Sequence, residues 1–326
     1  MSHTQTAPSQ DVVRVTGLVK RYRELVALDH LDLSVRKGEI FGLLGPNGSG
    51  KTTAINCILQ LLSYDRGTIE LFGEPMAPGR YDLKTRVGVV PQQVAVFDEL
   101  TVRENVDAFC ALYVRDRRRR RQLVDEAIDF VGLGDYVRFR PGKLSGGLAR
   151  RLNIACGIAH RPELIFFDEP TVAVDPQSRA NILDGICRLR DEGATVVYTS
   201  HYMEEVEQIC SRIVIMDHGR VLAQGTADEL KRMISVGERI QVEVDRMPDE
   251  LLARLRALPH AITIEVEDDV LVCVCEASPH NLMDVLRELT DAGVTIGRVW
   301  SAPPTLNDVF LEITGRELRD GAEAGR

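Results

Sequence analysis

The sequence predicts an α/β domain built on a largely parallel sheet, followed by a smaller α+β domain. Two observations carry most of this reading. Over the first two-thirds of the chain, short β-rich runs alternate with helical patterns, the order that a parallel sheet requires. Past about Leu230 the order becomes β-α-β-β-α-β, a split βαβ arrangement. Length agrees, because 326 residues at about 150 per domain make roughly two domains. The expected divisions are a short disordered tail at 1–10, a first domain at 11–230 and an accessory domain at 231–326.

Taken in order, residues 12–15, 31–35 and 40–44 are rich in Val, Leu and Ile and read as strands. Residues 53–62 place apolar side chains at helical spacing. Strands at 68–71 and 87–90 follow. From about 98 to 160 there is no convincing strand, and the segment reads as an inserted helical lobe. Strands resume at 164–167, 195–199 and 212–216. In the accessory domain a strand at 240–244 and a helix at 248–258 precede two strands, 261–266 and 270–275, around the Asp268-Asp269 turn. A helix at 279–292 and a strand at 294–299 complete a ferredoxin-like order. An amphipathic piece at 306–313 follows Pro303-Pro304.

Composition narrows the function classes. With 44% hydrophobic and 27% charged residues the chain can bury a sizeable core, which excludes wholesale disorder. A net charge of −9 argues against generic duplex binding, so no nucleic-acid partner is expected. No apolar stretch approaches the ~20 residues of a bilayer span, and residues 1–10 lack the charged-then-apolar pattern of a secretory signal. The seven cysteines are scattered, with no Cys-x-x-Cys pair, as in a reducing compartment. Cys273 and Cys275, two apart in a strand, face one side and read as a core or half-buried pair. Arg117 to Arg121, after Arg115 and Asp116, stand out in an acidic chain. They read as a solvated helix turn or as a contact for anionic lipid headgroups, where each nearby cation contributes about 1 kcal/mol.

Three motifs carry chemistry. Gly45-Pro46-Asn47-Gly48-Ser49-Gly50-Lys51-Thr52 satisfies the phosphate-loop pattern G-x-x-x-x-G-K-[ST], between an expected strand and an expected helix. Its glycines let backbone N–H groups close around phosphate oxygens, and the helix N-terminus adds positive potential. Lys51 is expected to reach the β- and γ-phosphates and Thr52 to coordinate Mg²⁺. The run 164–169 is an apolar strand ending in two carboxylates. Asp168 is placed for the Mg²⁺ side of the site, and Glu169 to polarise an attacking water as general base. Leu144-Ser145-Gly146-Gly147, followed by apolar residues at helical spacing, makes a second anion site at a helix N-terminus. The loop already holds the chain's own nucleotide, so this second site is read as serving a nucleotide on another subunit.

With these motifs in this order, residues 11–230 resemble the nucleotide-binding subunits of ATP-binding-cassette (ABC) transporters. The resemblance implies a P-loop NTPase cassette: a mixed, largely parallel sheet with an antiparallel β subdomain and a helical subdomain. It implies ATP and Mg²⁺ as ligands, with Thr53 completing the phosphate loop. By the same resemblance Tyr22 stacks on adenine, and Gln92 contacts Mg²⁺ and water and couples to the membrane subunit. Asp175 matches an acid that crosses the dimer, and His201 a switch histidine near the γ-phosphate. Leu148 stands where many members have Gln. The stretches 168–176 and 199–205 and the tail Pro304-Thr305-Leu306-Asn307-Asp308-Val309-Phe310 resemble the daunorubicin-resistance-like bacterial exporters. That subgroup implies a separate integral-membrane permease, a second copy of the chain in a head-to-tail dimer, and a peripheral place at the cytoplasmic membrane face. The alternatives are a soluble ABC-type ATPase uncoupled from transport and a binding-only cassette. A phosphate-loop GTPase would need an Asn-Lys-x-Asp motif, which the chain lacks.

Overall fold

The computed structural model describes residues 11–315; the tail expected at 1–10 lies outside the described residues, as do 316–326. The chain opens with an antiparallel hairpin, β1 (Asp11–Tyr22) and β2 (Leu25–Arg36), closed at Arg23-Glu24. Next come β3 (Ile40–Leu44), α1 (Lys51–Ile58), β4 (Arg66–Leu71), β5 (Glu74–Pro75), α2 (Tyr81–Lys84) and β6 (Val87–Val90). The first sheet has the order β2-β1-β4-β5 and is antiparallel throughout. The helical lobe follows as α3 (Val102–Ala111), α4 (Arg117–Phe130) and α5 (Gly146–Ile158), with short 3-10 turns before α5. Thr101 and Glu104 form a reciprocal capping box on α3, and Asp116 caps α4, so both helices begin where a side chain satisfies an orphan N–H. The arginine run is thus the first turns of α4, where Arg120 pairs with Asp107.

The chain then returns to a central sheet through β7 (Leu164–Asp168), α6 (Pro176–Asp191), β8 (Thr195–Ser200), α7 (Met203–Ile209), β9 (Arg212–Asp217) and β10 (Arg220–Gly225). Its order is β10-β9-β3-β8-β7-β6. All neighbours pair in parallel except β10, an antiparallel edge. Every residue of β3, β7 and β8 is buried, as expected for parallel strands covered on both faces. One core joins the two sheets: Val13, Leu31, Phe41, Leu43, Leu71 and Phe166 pack with Ala54, Ile55 and Ile58 of α1.

Two local readings need correction. The helix expected at 53–62 begins at Lys51 and stops at Ile58. Gln60 is left-handed (φ 57), its N–H bonds Cys57 O, and Leu61 N–H bonds Asn56 O. This is a Schellman stop with Gln in place of the usual Gly. The strand β10 was not expected at all. Its signal is the His218-Gly219 pair, both at positive φ, which closes a two-residue hairpin from β9.

A second unit begins at Ala227, slightly before the expected 231, because α8 (Ala227–Lys231) lies against the last helix and buries Leu230. It continues as β11 (Val236–Val244), α9 (Asp249–Arg256), β12 (Ala261–Glu267), β13 (Val270–Glu276), α10 (Asn281–Asp291), β14 (Ile296–Ala302) and α11 (Leu306–Thr314). The sheet order β12-β13-β11-β14, antiparallel throughout, is ferredoxin-like. Its core contains Ile240, Val242, Leu251, Leu255, Leu271, Val285 and Leu289, together with Cys273 and Cys275 on one face of β13. Val309 and Phe310 of α11 are buried.

Candidate functional site

The parallel register brings the chemistry to the C-terminal end of the central strands. Leu44 of β3 pairs with Ser200 of β8, and Asp168 of β7 pairs with Thr199 of β8, so three strands deliver their C-terminal residues together. Beyond β3 the chain turns at Gly45, where a Cβ would lie 2.2 Å from Met216 O. Gly50 (φ 107) caps α1, and a Cβ there would meet Ala27 O at 2.7 Å. Between them Pro46, Asn47 and Gly48 form the crest, with Asn47 and Gly48 exposed. The Ser49 hydroxyl is buried without a hydrogen-bond partner. Lys51 is 4% exposed; its Nζ donates to Gly45 O (2.8 Å) and Pro46 O (3.1 Å) and lies 3.2 Å from Glu169 Oε1. Burial lowers the Lys51 pKa, and the neighbouring Glu169 only partly offsets this. Thr53 stands in the first turn of α1.

Asp168 is held from both sides. Thr52 Oγ1 donates to Oδ2 at 2.8 Å, and Thr199 Oγ1 donates to Oδ1 at 2.7 Å. Glu169 is buried, with its backbone left-handed at φ 46. Its Oε2 accepts from Gln92 Nε2 at 3.2 Å and lies 3.2 Å from His201 Nδ1. Desolvation pushes its carboxyl up, but the His201 hydrogen bond and the Lys51 charge outweigh it, so the pKa is lowered. Lys51, Thr52, Gln92, Asp168, Glu169 and His201, drawn from four separate segments of the chain, therefore form one cluster.

Ser145, Gly146, Gly147 and Asp175 form a second grouping. Ser145 caps α5, its Oγ accepting from Leu148 N–H at 3.4 Å. Asp175 caps α6, accepting from Ser178 N–H at 2.9 Å. A Cβ on Gly147 would sit 2.6 Å from Ser178 Oγ and 3.4 Å from Asp175 Oδ2, so the two helix N-termini meet there. Tyr22 is 44% exposed at the hairpin tip, with Lys20 Nζ 5.0 Å from its ring centroid. The motif reading passed over Thr199 and Arg150. Both are polar residues in buried, largely apolar segments, a signal they share with Asn153 and Thr195.

Comparison with known proteins fixes the family. The ABC transporter family model matches residues 28–172, and the model for the C-terminal domain of DrrA1-3-like ATP-binding proteins matches 225–314. The chain is 39% identical to the daunorubicin resistance ATP-binding protein DrrA3 of Streptomyces coeruleorubidus, over 94% of this chain and 97% of that one. It is 35% identical to the linearmycin resistance ATP-binding protein LnrL of Bacillus subtilis, over 95% of this chain and all of that one. The chain belongs to the ATP-binding subunits of ABC transporters. The Nod factor export ATP-binding protein I of Ralstonia nicotianae is 36% identical over 96% of each chain. Among solved structures, a dimeric ATP-binding cassette in a post-hydrolysis state with ADP and Pi superposes with TM-score 0.61 at 27% identity, covering 66% of this chain and 98% of that one. This ABC subunit is accordingly an ATP-binding ATPase.

Proposed function

We propose that this ABC subunit drives export through a separate integral-membrane permease, working as a head-to-tail pair at the cytoplasmic face of the membrane. The observation that carries the reading is Glu169, a buried carboxylate ringed by Lys51, Gln92 and His201 beside the Thr52–Asp168 pair. Relatives named for drug resistance and Nod factor export support the direction, and dimeric cassettes among the similar structures support pairing.

The phosphates of ATP would lie along residues 45–52 against the α1 N-terminus. The partnerless Ser49 hydroxyl and the positions where only glycine fits suit such a cradle. Lys51 would exchange its carbonyl partners for the β- and γ-phosphates. Thr52, Asp168 and Gln92 present the hard oxygen donors that Mg²⁺ prefers and would hold it. When bound, the ion neutralises charge on the phosphates. Glu169, kept ionised by its neighbours, accepts the proton of the attacking water while His201 and Gln92 fix its carboxylate. Tyr22 would stack on the base. Ser145, Gly146 and Gly147 of the second copy would close over the γ-phosphate, with Asp175 near the seam.

The test is Glu169→Gln. Loss of a general base typically lowers turnover by about 10²–10⁴-fold, so the variant should bind ATP, hydrolyse it very slowly and accumulate as a dimer in size-exclusion chromatography with Mg-ATP. Turnover at the parent's rate would remove Glu169 from the role of base.

A further inference from the structure

Arg150, on α5, is 3% exposed, and its five hydrogen bonds all go to main-chain carbonyls. Its Nη1 donates to Pro91 O (2.8 Å) and Gln92 O (2.7 Å), in the segment that follows β6. Its Nε donates to Pro170 O (2.6 Å) and its Nη2 to Glu169 O (2.8 Å) and Asp168 O (3.4 Å), in the segment that ends β7. One planar guanidinium thus bridges the two segments that carry Gln92 and Glu169. A lysine, with its donors on a single point, cannot span both. Burying this charge is costly: desolvation brings the guanidinium down to about 10. An apolar side chain of similar volume would fill the space without that cost, so packing alone does not account for an arginine.

The backbone of Glu169 supplies the reason. Its left-handed conformation is unfavourable for a residue with a Cβ and persists only when its surroundings hold it. Thr199 Oγ1 accepts its N–H at 2.9 Å, and Arg150 binds its carbonyl, so the residue is clamped at both ends. That conformation aims the carboxylate at Lys51, Gln92 and His201. One turn further along α5, Asn153 repeats the grip on the first segment, donating to Pro91 O (3.2 Å) and accepting from Ala95 N–H (3.1 Å). The helix whose N-terminus bears Ser145, Gly146 and Gly147 therefore holds the Gln92 segment and, through Arg150 alone, the backbone of Glu169.

We propose that Arg150 is a positioning residue for hydrolysis, fixing Glu169 to the Gln92 segment and to α5 so that the base is aligned when those elements move. The inference rests on the reading of Glu169 as the base. The experiment uses the full chain with Arg150→Met and Arg150→Lys, measuring kcat for Mg-ATP, affinity for a non-hydrolysable ATP analogue, and the thermal midpoint. Misplacing a reacting group by about 1 Å costs on the order of 10²-fold, so Arg150→Met should lose about 10- to 100-fold in kcat while analogue affinity changes by less than about threefold. Arg150→Lys should fall between this variant and the parent. Combined with Gln92→Ala, Arg150→Met should cost less than the product of the two single losses, because both disturb one alignment. A purely structural role would instead lower the active fraction and the analogue binding in step with kcat, and that result would overturn the proposal. So would a folded Arg150→Met with parental kcat. If Arg150→Met does not fold, the same split in Arg150→Lys decides. Parental activity retained by Glu169→Gln would be a different outcome, overturning the assignment of the base itself.

Discussion

At the scale of single residues, Glu205 shows how much of the site's support is hidden from motif reading. Its Oε2 accepts from Thr171 Oγ1 (2.7 Å), Tyr198 Oη (2.6 Å) and Ser200 Oγ (3.1 Å), and Arg179 Nε lies 3.2 Å from Oε1. The carboxylate joins the chain just past Glu169 to the strand and helix around His201. Replacing it by Leu strands buried hydroxyls and an arginine; breaking such a network costs about 3–5 kcal/mol. Glu205→Leu should therefore lower the urea midpoint strongly, while Glu205→Gln, which keeps an acceptor, should lower it less. Equal midpoints for Glu205→Leu and the parent would show that the network contributes nothing. Residues 45–52 are legible in sequence because the loop's chemistry is contiguous and its spacing is strict. Glu205 and Arg150 are not, since their value lies in partners far along the chain: Arg150 and Pro91 are 59 residues apart. In a linear reading Glu205 is one of two adjacent carboxylates opening a helix, indistinguishable from Glu204.

At the scale of elements, α5 and the strands around it carry two further expectations. Ser145 sits at the exposed start of α5, so Ser145→Arg should leave the chain folded while filling the anion site proposed to serve a second copy. Mixed with Lys51→Ala, it yields heterodimers in which one composite site bears both defects and the other bears neither. Activity should reappear in the mixture and be absent from each variant alone; full activity of Ser145→Arg by itself would defeat the shared-site arrangement. Just beyond α5, His160 Nε2 lies 3.1 Å from Val87 O, and its ring stacks on Tyr113 with centroids 3.9 Å apart. Nδ1 is buried without a partner, so protonation would bury an unpaired N–H. Burial accordingly pushes the pKa from 6.5 to about 4. Between those values the unfolded chain binds a proton that the folded chain refuses, so stability falls as pH drops from 6.5 towards 4, by about 3 kcal/mol in all. His160→Gln keeps a donor for Val87 and lacks this loss. Denaturation curves of variant and parent should diverge over that window, and parallel curves would refute the assignment. The same scale shows why strand prediction succeeded for β3, β7 and β8 and failed for β10. The buried strands are apolar runs, whereas an edge strand needs only one covered face and alternates weakly.

At the scale of the whole molecule, the chain divides into two units, and each buries apolar residues of its own. The core that joins the first two sheets draws on residues from Val12 to Met216 with Val221 packed against it, and the ferredoxin-like core draws on residues from Ile240 to Ile296. Every side chain in the Lys51–Glu169 cluster, and the Ser145 and Asp175 caps, belongs to the first unit. A chain ending at Thr226 should therefore fold and bind ATP with an affinity close to that of the full chain. What it should lose is pairing, with its twin or with the proposed permease, because the second unit holds none of the residues proposed for ATP chemistry yet is matched over 225–314 by a domain model of its own. Phe310 offers a finer probe. It is buried in α11, whose start is fixed by the Thr305–Asp308 capping box. A buried Phe→Ala costs about 3–5 kcal/mol, enough to loosen α11 without touching the phosphate loop. Phe310→Ala should then reproduce part of the pairing loss at unchanged ATP affinity. Nucleotide affinity, dimer formation and permease co-purification, measured on both proteins, separate the possibilities. A soluble truncated chain that no longer binds ATP would make the second unit part of the nucleotide site, and unchanged pairing in both would free the second unit from any role in assembly.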